Sequence, residues 1–148
     1  MEDTESVPSY NYVRTLSEPI HGSNRNITCD NWFTSVPLAK RMKSSLIKLS
    51  IIGTIRKNKK EVPNSFKTAS DVGQSKFLYD EEKTLVSYTP KRNKMVLLLS
   101  TLHKKSLARL QISQKLYYNK TKGGTDTFDQ LCQKYTTCRM TRRWPVHF

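Results

Sequence analysis

The apolar positions of this 148-residue chain predict its elements, and a change of character after Arg56 divides it. Tyr12, Val13, Leu16 and Ile20 stand at helical spacing and predict one short amphipathic helix over 9–20, which Pro19 limits near Glu18. Asn26 to Asp30 reads as a short strand after the turn His21-Gly22-Ser23-Asn24-Arg25. Thr34 or Ser35 can cap a helix that carries Pro37 in its first turn, runs to about Lys43, and buries Val36, Leu38 and Ala39. The run Leu49-Ser50-Ile51-Ile52-Gly53-Thr54-Ile55 is apolar and β-branched, as a buried central strand would be. The sequence changes character after Arg56: the basic run Arg56-Lys57-Asn58-Lys59-Lys60 is followed by loops marked by Pro63 and Gly73. Strands are expected at Lys76–Tyr79, Thr84–Thr89 and Met95–Thr101, forming a small antiparallel sheet. Lys115 to Tyr118 reads as a short extended piece. Gly123-Gly124 then break the chain, and Thr125 caps a helix from Asp126 to about Thr137.

Composition narrows the function classes. Leu, Ile, Val and Phe supply 34 of the 148 residues, enough for a thin core only. The net charge is +14 and the pI about 9.9, a field that attracts polyanions, with DNA or RNA as the natural partner. Cys29, Cys132 and Cys138 are too few and odd in number for a disulfide framework, which points to a reducing compartment. No apolar run is long enough for a membrane span, and the acidic start Met1-Glu2-Asp3-Thr4-Glu5 is not a secretory signal. Cys132, Cys138 and His147 fit none of the usual zinc spacings and read as packed or free thiols and a lone imidazole.

Three carboxylates stand out. Asp30 ends a strand, at the sheet rim where α/β sites form, although Asp30-Asn31 also suits an ordinary turn. Asp126 and Asp129 are three residues apart and share a helix face. In a first helical turn they would also simply complement the macrodipole, so spacing alone leaves both readings open. Carboxylates gathered from separate elements are what a divalent-metal site for phosphoryl transfer requires.

Long motifs around these residues carry a family resemblance. Arg25-Asn26-Ile27-Thr28-Cys29-Asp30-Asn31-Trp32-Phe33-Thr34-Ser35, Thr121-Lys122-Gly123-Gly124-Thr125-Asp126-Thr127-Phe128-Asp129-Gln130 and Arg142-Arg143-Trp144-Pro145 closely resemble the catalytic region of piggyBac-type DNA transposases. The resemblance implies an α/β fold: a partial RNase H-like catalytic domain lacking its first strands and interrupted by a mostly β insertion domain. Residues 1–8 would be a disordered N-terminus and 9–60 the first part of the core. Residues 61–117 would be the β-rich insertion, and 118–148 the core helix with the last acidic motif and a basic tail. It further implies cut-and-paste transposition by metal-dependent phosphoryl transfer, with Asp30 and Asp126 as ligands of Mg²⁺ and Asp129 in catalytic support. The family's first aspartate lies on a strand ahead of the 9–20 helix, and Glu2-Asp3-Thr4-Glu5-Ser6 is no strand. The chain is therefore expected to be inactive alone. The strand bearing Asp30 would have an open edge that a related transposase or a second copy could pair with.

Cationic clusters complete the picture. Arg56, Lys57, Lys59 and Lys60, then Lys91, Arg92 and Lys94, then Lys104 and Lys105, then Arg139, Arg142 and Arg143 are placed to contact phosphates without reading sequence, though each cluster also suits a solvated loop. Lys57–Lys60 doubles as a nuclear localisation signal, so a nuclear location is expected. The alternative to a transposase remnant is a non-catalytic basic DNA-binding or transposase-interaction module.

Overall fold

Five strands form one mixed sheet in the order β1-β2-β5-β4-β3. They are β1 (Asn26–Cys29), β2 (Ser50–Thr54), β3 (Ser75–Tyr79), β4 (Thr84–Lys91) and β5 (Lys94–Ser100). Among the described residues three α-helices accompany them: α1 (Pro8–Ser17), α2 (Val36–Met42) and α3 (Ala108–Lys134). The computed structural model describes residues 8–102 and 108–135, without the side chains at 8, 108–115, 125 and 129. The N-terminal segment 1–7, Lys104, Lys105, Cys138, Arg139, Arg142, Arg143 and His147 lie outside the described residues.

The β1–α2–β2 unit forms for local reasons. Ser35 sits in extended backbone before α2 and its side chain accepts a hydrogen bond from the Leu38 amide, while Pro37 occupies the first turn, where no amide hydrogen is needed. The crossover then lets β2 pair parallel to β1, with Ile27 opposite Ile51 and Cys29 opposite Gly53. Alternate residues of β2 face opposite layers. Ile51 packs with Cys29, Leu38, Met42, Tyr10 and Val13 beneath α1 and α2. Ile52 packs with Val86 and Leu98 on the other face, against Tyr117 and Tyr118 of α3. Both isoleucines are almost wholly buried, and each contributes about 1.5–3 kcal/mol by leaving water.

The antiparallel strands join this sheet directly. β5 pairs with β2 (Gly53 opposite Leu99, Thr54 opposite Leu98), β4 with β5, and β3 with β4. The segment read as an insertion thus shares its hydrogen bonding with β2. Leu85, Leu97 and Leu99 fill the α2 side with Ile55, Val62 and Phe66. The β4–β5 turn is tight: Lys91 faces Lys94, and Asn93 takes the left-handed conformation that Asn tolerates.

The main departure from expectation is α3. No break occurs at Gly123-Gly124 and no new helix starts at Thr125. Residues 115–118 are helical, and Asp126 and Asp129 lie in the second half of a helix that begins at Ala108. A glycine in a helix interior costs only about 1 kcal/mol. The packing of Tyr117 and Tyr118 on the sheet, just before the pair, holds the preceding turns in place. The glycines serve no close approach among the described residues either, since nothing there lies within 4 Å of a Cβ added at either one.

Gly53 is the opposite case. A Cβ there would fall 2.2 Å from Thr34 Oγ1 and 2.5 Å from the Cys29 carbonyl oxygen. Gly53→Ala is expected to lower stability by about 1–3 kcal/mol through overpacking. Gly123→Ala should raise it by about 0.5–1 kcal/mol through helix propensity. Urea denaturation of the two variants measures both, and shifts of the same sign would contradict this packing.

Candidate functional site

The site is built around the exit of β1. The Asp30 carbonyl, one residue past the strand, accepts hydrogen bonds from the Phe33 amide (3.2 Å), the Thr34 amide (3.0 Å) and Thr34 Oγ1 (2.8 Å). Thr34 is completely buried, and the space for it exists because residue 53 is glycine. The turn is locked from inside while the Asp30 side chain stays exposed. Arg56, just beyond β2, donates through Nε to Asn31 Oδ1 at 3.0 Å and so fastens the same turn from outside.

Helix α3 brings the second carboxylate. Thr28 Oγ1 donates to Thr121 Oγ1 at 2.8 Å, Thr121 Oγ1 donates to the Tyr117 carbonyl at 2.9 Å, and the Tyr118 and Thr54 hydroxyls lie 3.4 Å apart. These contacts set the helix against β1 and β2 with Tyr118, Lys122 and Asp126 along one face, since positions four apart stack. Asp30 and Asp126 consequently line the same cleft of about 590 Å³, together with Tyr118, Lys122 and Phe33 and with Val13, Leu16 and Ile20 from the α1 side. The cleft follows the outer edge of β1, the end strand of the sheet. Lys122 Nζ lies 3.9 Å from Asp126 Oδ2, an exposed pair of little energetic weight. The Asp129 side chain lies outside the described residues. Among the described residues no group of three or more His, Cys, Asp or Glu is gathered closely enough to hold a metal ion.

Cys29 directly precedes Asp30 and is buried. Burial, and next the neighbouring Asp30 carboxylate, push its thiol up to about 12. It therefore stays protonated at neutral pH and is a packing residue.

The described members of the basic clusters gather at the same end. Ile55 donates its amide to the Leu97 carbonyl at 3.0 Å, so the first residues of β5 run on past the end of β2. The exposed Lys91, Arg92 and Lys94 at the β4–β5 turn and the exposed Arg56, Lys57 and Lys60 thus share the sheet end that carries Asp30, with Lys59 half-buried among them. Sequence reading missed Tyr118, Lys122, Thr34 and Gly53. Tyr118, Lys122 and Asp126 do carry a four-residue rhythm, hidden when the two glycines are taken as a helix break.

With this geometry in hand, the kinship is clear. Residues 1–148 match the transposase IS4 family. A cryo-EM structure of a piggyBac transposase synaptic complex with hairpin DNA superposes with a TM-score of 0.77 at 48% sequence identity, covering 98% of this chain. No curated protein matches the chain. The chain belongs to the transposase IS4 family, and within it to the piggyBac transposases. It is transposase-derived and spans 32% of the length of the chain in that synaptic complex.

The raised Cys29 thiol has a pH consequence. Its folded value, about 12, lies above the ordinary 9.0, so its contribution to stability is complete below pH 9 and is lost as pH rises through 12. Wild type should lose more stability over that window than Cys29→Ala, as measured by chemical denaturation. At pH 8 iodoacetamide should label the exposed Cys132 and spare Cys29 in the native protein. Labelling of Cys29 at the rate of Cys132 would contradict its burial.

Proposed function

We propose that the chain is the carboxylate-bearing part of a piggyBac-type DNA transposase, with Asp30 and Asp126 facing the DNA phosphate and Asp129 beside them. The observation that carries this reading is the convergence of Asp30 and Asp126, from distant parts of the chain, on one cleft at the cationic end of the sheet. The fold we infer is an RNase H-like core in which strands of the 61–117 segment extend the sheet from β2. DNA is the partner, as in the related synaptic complex, a second transposase copy is a further one, and the nucleus is the location.

Mg²⁺ fits this site in its donor chemistry. Two hard, exposed carboxylates on an open cleft suit an ion that keeps several waters and takes only one or two protein ligands. Asp30 and Asp126 would hold it, and it would supply Lewis-acid activation of a phosphodiester. The chain's own groups do the positioning. Arg56 keeps the Asp30 turn rigid through Asn31, and the basic turn residues anchor the DNA backbone. Lys122 beside Asp126 offers a compact positive charge to a phosphate oxygen. With two described carboxylates the site is sparse for two-metal chemistry, and we infer that the chain alone binds DNA without cutting it.

Metal and DNA binding can be tested together. Mn²⁺ titration followed by electron paramagnetic resonance should show a weak site that is lost in both Asp30→Asn and Asp126→Asn. DNA affinity should fall linearly with salt on a log–log plot. Replacing Lys91, Arg92 and Lys94 together by Ala should make that slope shallower by about 1 for each phosphate no longer neutralised. DNA affinity insensitive to salt would sink the interface. A Mg²⁺-dependent nick made by the purified chain and abolished by Asp30→Ala would overturn its inactivity.

A further inference from the structure

A second cleft shares a wall with the carboxylate cleft. It lies on the α3 side of the sheet, holds about 410 Å³, and has Asp30, Tyr118 and Lys122 in common with the first. Its floor is apolar, with Leu98 and the partly exposed Val96 from β5. Two aromatic rings border it, Tyr88 from β4 and Tyr118 from α3. Tyr118 is held toward the sheet by the hydroxyl contact with Thr54. The Asn119 amide offers both a donor and an acceptor. Pro90, which also lines the cleft, is followed at once by the cationic turn Lys91, Arg92 and Lys94.

We propose that this cleft is a nucleobase pocket, which accepts one unstacked base of a DNA strand whose phosphates follow the Lys91–Lys94 turn. Four features select this occupant. The volume lies in the range of small-ligand sites, roughly 300–1,000 Å³, so a single nucleoside fits and a duplex does not. Aromatic and apolar walls with one amide are the surfaces on which flipped or single-stranded bases stack and are read. The cationic turn at one end matches the charge of the backbone. Most tellingly, the shared wall means that a base seated here leaves its own phosphate facing Asp30 and Lys122. The pocket would therefore fix the strand where the carboxylates stand. The inference rests on the reading that this end of the sheet meets DNA.

The experiment compares two DNAs of equal length with the 148-residue chain: a fully paired duplex and the same duplex with one unpaired base. Fluorescence anisotropy at fixed salt should show the second binding about tenfold tighter, the scale of one stacked base. Val96→Trp, which fills the cleft from a partly exposed position, should erase that preference and leave duplex affinity unchanged. Tyr88→Ala, which removes a stacking ring, should do the same from the opposite direction. With 5-iodo-deoxyuridine as the unpaired base, irradiation should cross-link Tyr88 or Tyr118, identified by peptide mass spectrometry. Equal affinity for the two DNAs, or a preference that survives both substitutions, overturns the pocket while leaving the DNA interface standing. Failure to bind either DNA even at low salt overturns the interface, and the pocket with it.

Discussion

Everything at the carboxylate end depends on a missing side chain. Gly53 lets the buried Thr34 sit against β2, and Thr34 uses both its amide and its hydroxyl to hold the Asp30 carbonyl. A methyl group at residue 53 would collide with that hydroxyl and with the carbonyl of Cys29. The same residue lies in a strand that pairs on both sides, to β1 in parallel and to β5 antiparallel. One position thus sets the strand spacing, the turn and the aim of Asp30 together.

Around that fixed point the charges are sorted by distance from the backbone. The carboxylates are held by elements of regular structure: Asp30 by the end of a strand and Asp126 by a helix docked through Thr121 and Tyr118. Apart from Lys122 on α3, the cations sit at or beside turns with long, solvated side chains. Such a division suits a polyanion bound flexibly at its periphery and rigidly at its centre, because lysines tolerate many phosphate positions while a carboxylate pair tolerates few.

Much of this was legible from residues close in sequence. Ser35 and Pro37 mark the start of α2, Ile51 and Ile52 mark a doubly buried strand, and β-branched and apolar runs between polar turns mark β4 and β5. Asp30 and Asp126 could be singled out, but not their shared cleft, which depends on α3 reaching back to β1. The start of α3 was hidden because two adjacent glycines signal a break when their neighbours are unknown, whereas contacts from Tyr117 and Tyr118 decide the matter. The union of all five strands in one sheet was hidden for a related reason. The β2–β5 pairing joins segments with a long stretch of chain between them, and no local pattern records such a partner. The role of Gly53 was equally invisible, since a glycine in a strand says nothing about which hydroxyl lies beside it.

The link between Thr28 and Thr121 spans 93 positions. β1, α2 and β2, by contrast, are consecutive in the chain. Loop-closure entropy orders these events: short-range contacts form at little cost, and long-range ones wait until enough structure exists to reward them. The strand bearing Asp30 can thus be assembled with its crossover helix and its parallel partner well before α3 docks. The two acids approach each other only at the final docking step. The cleft they share is consequently the last part of the molecule to take shape, after the sheet that forms its wall.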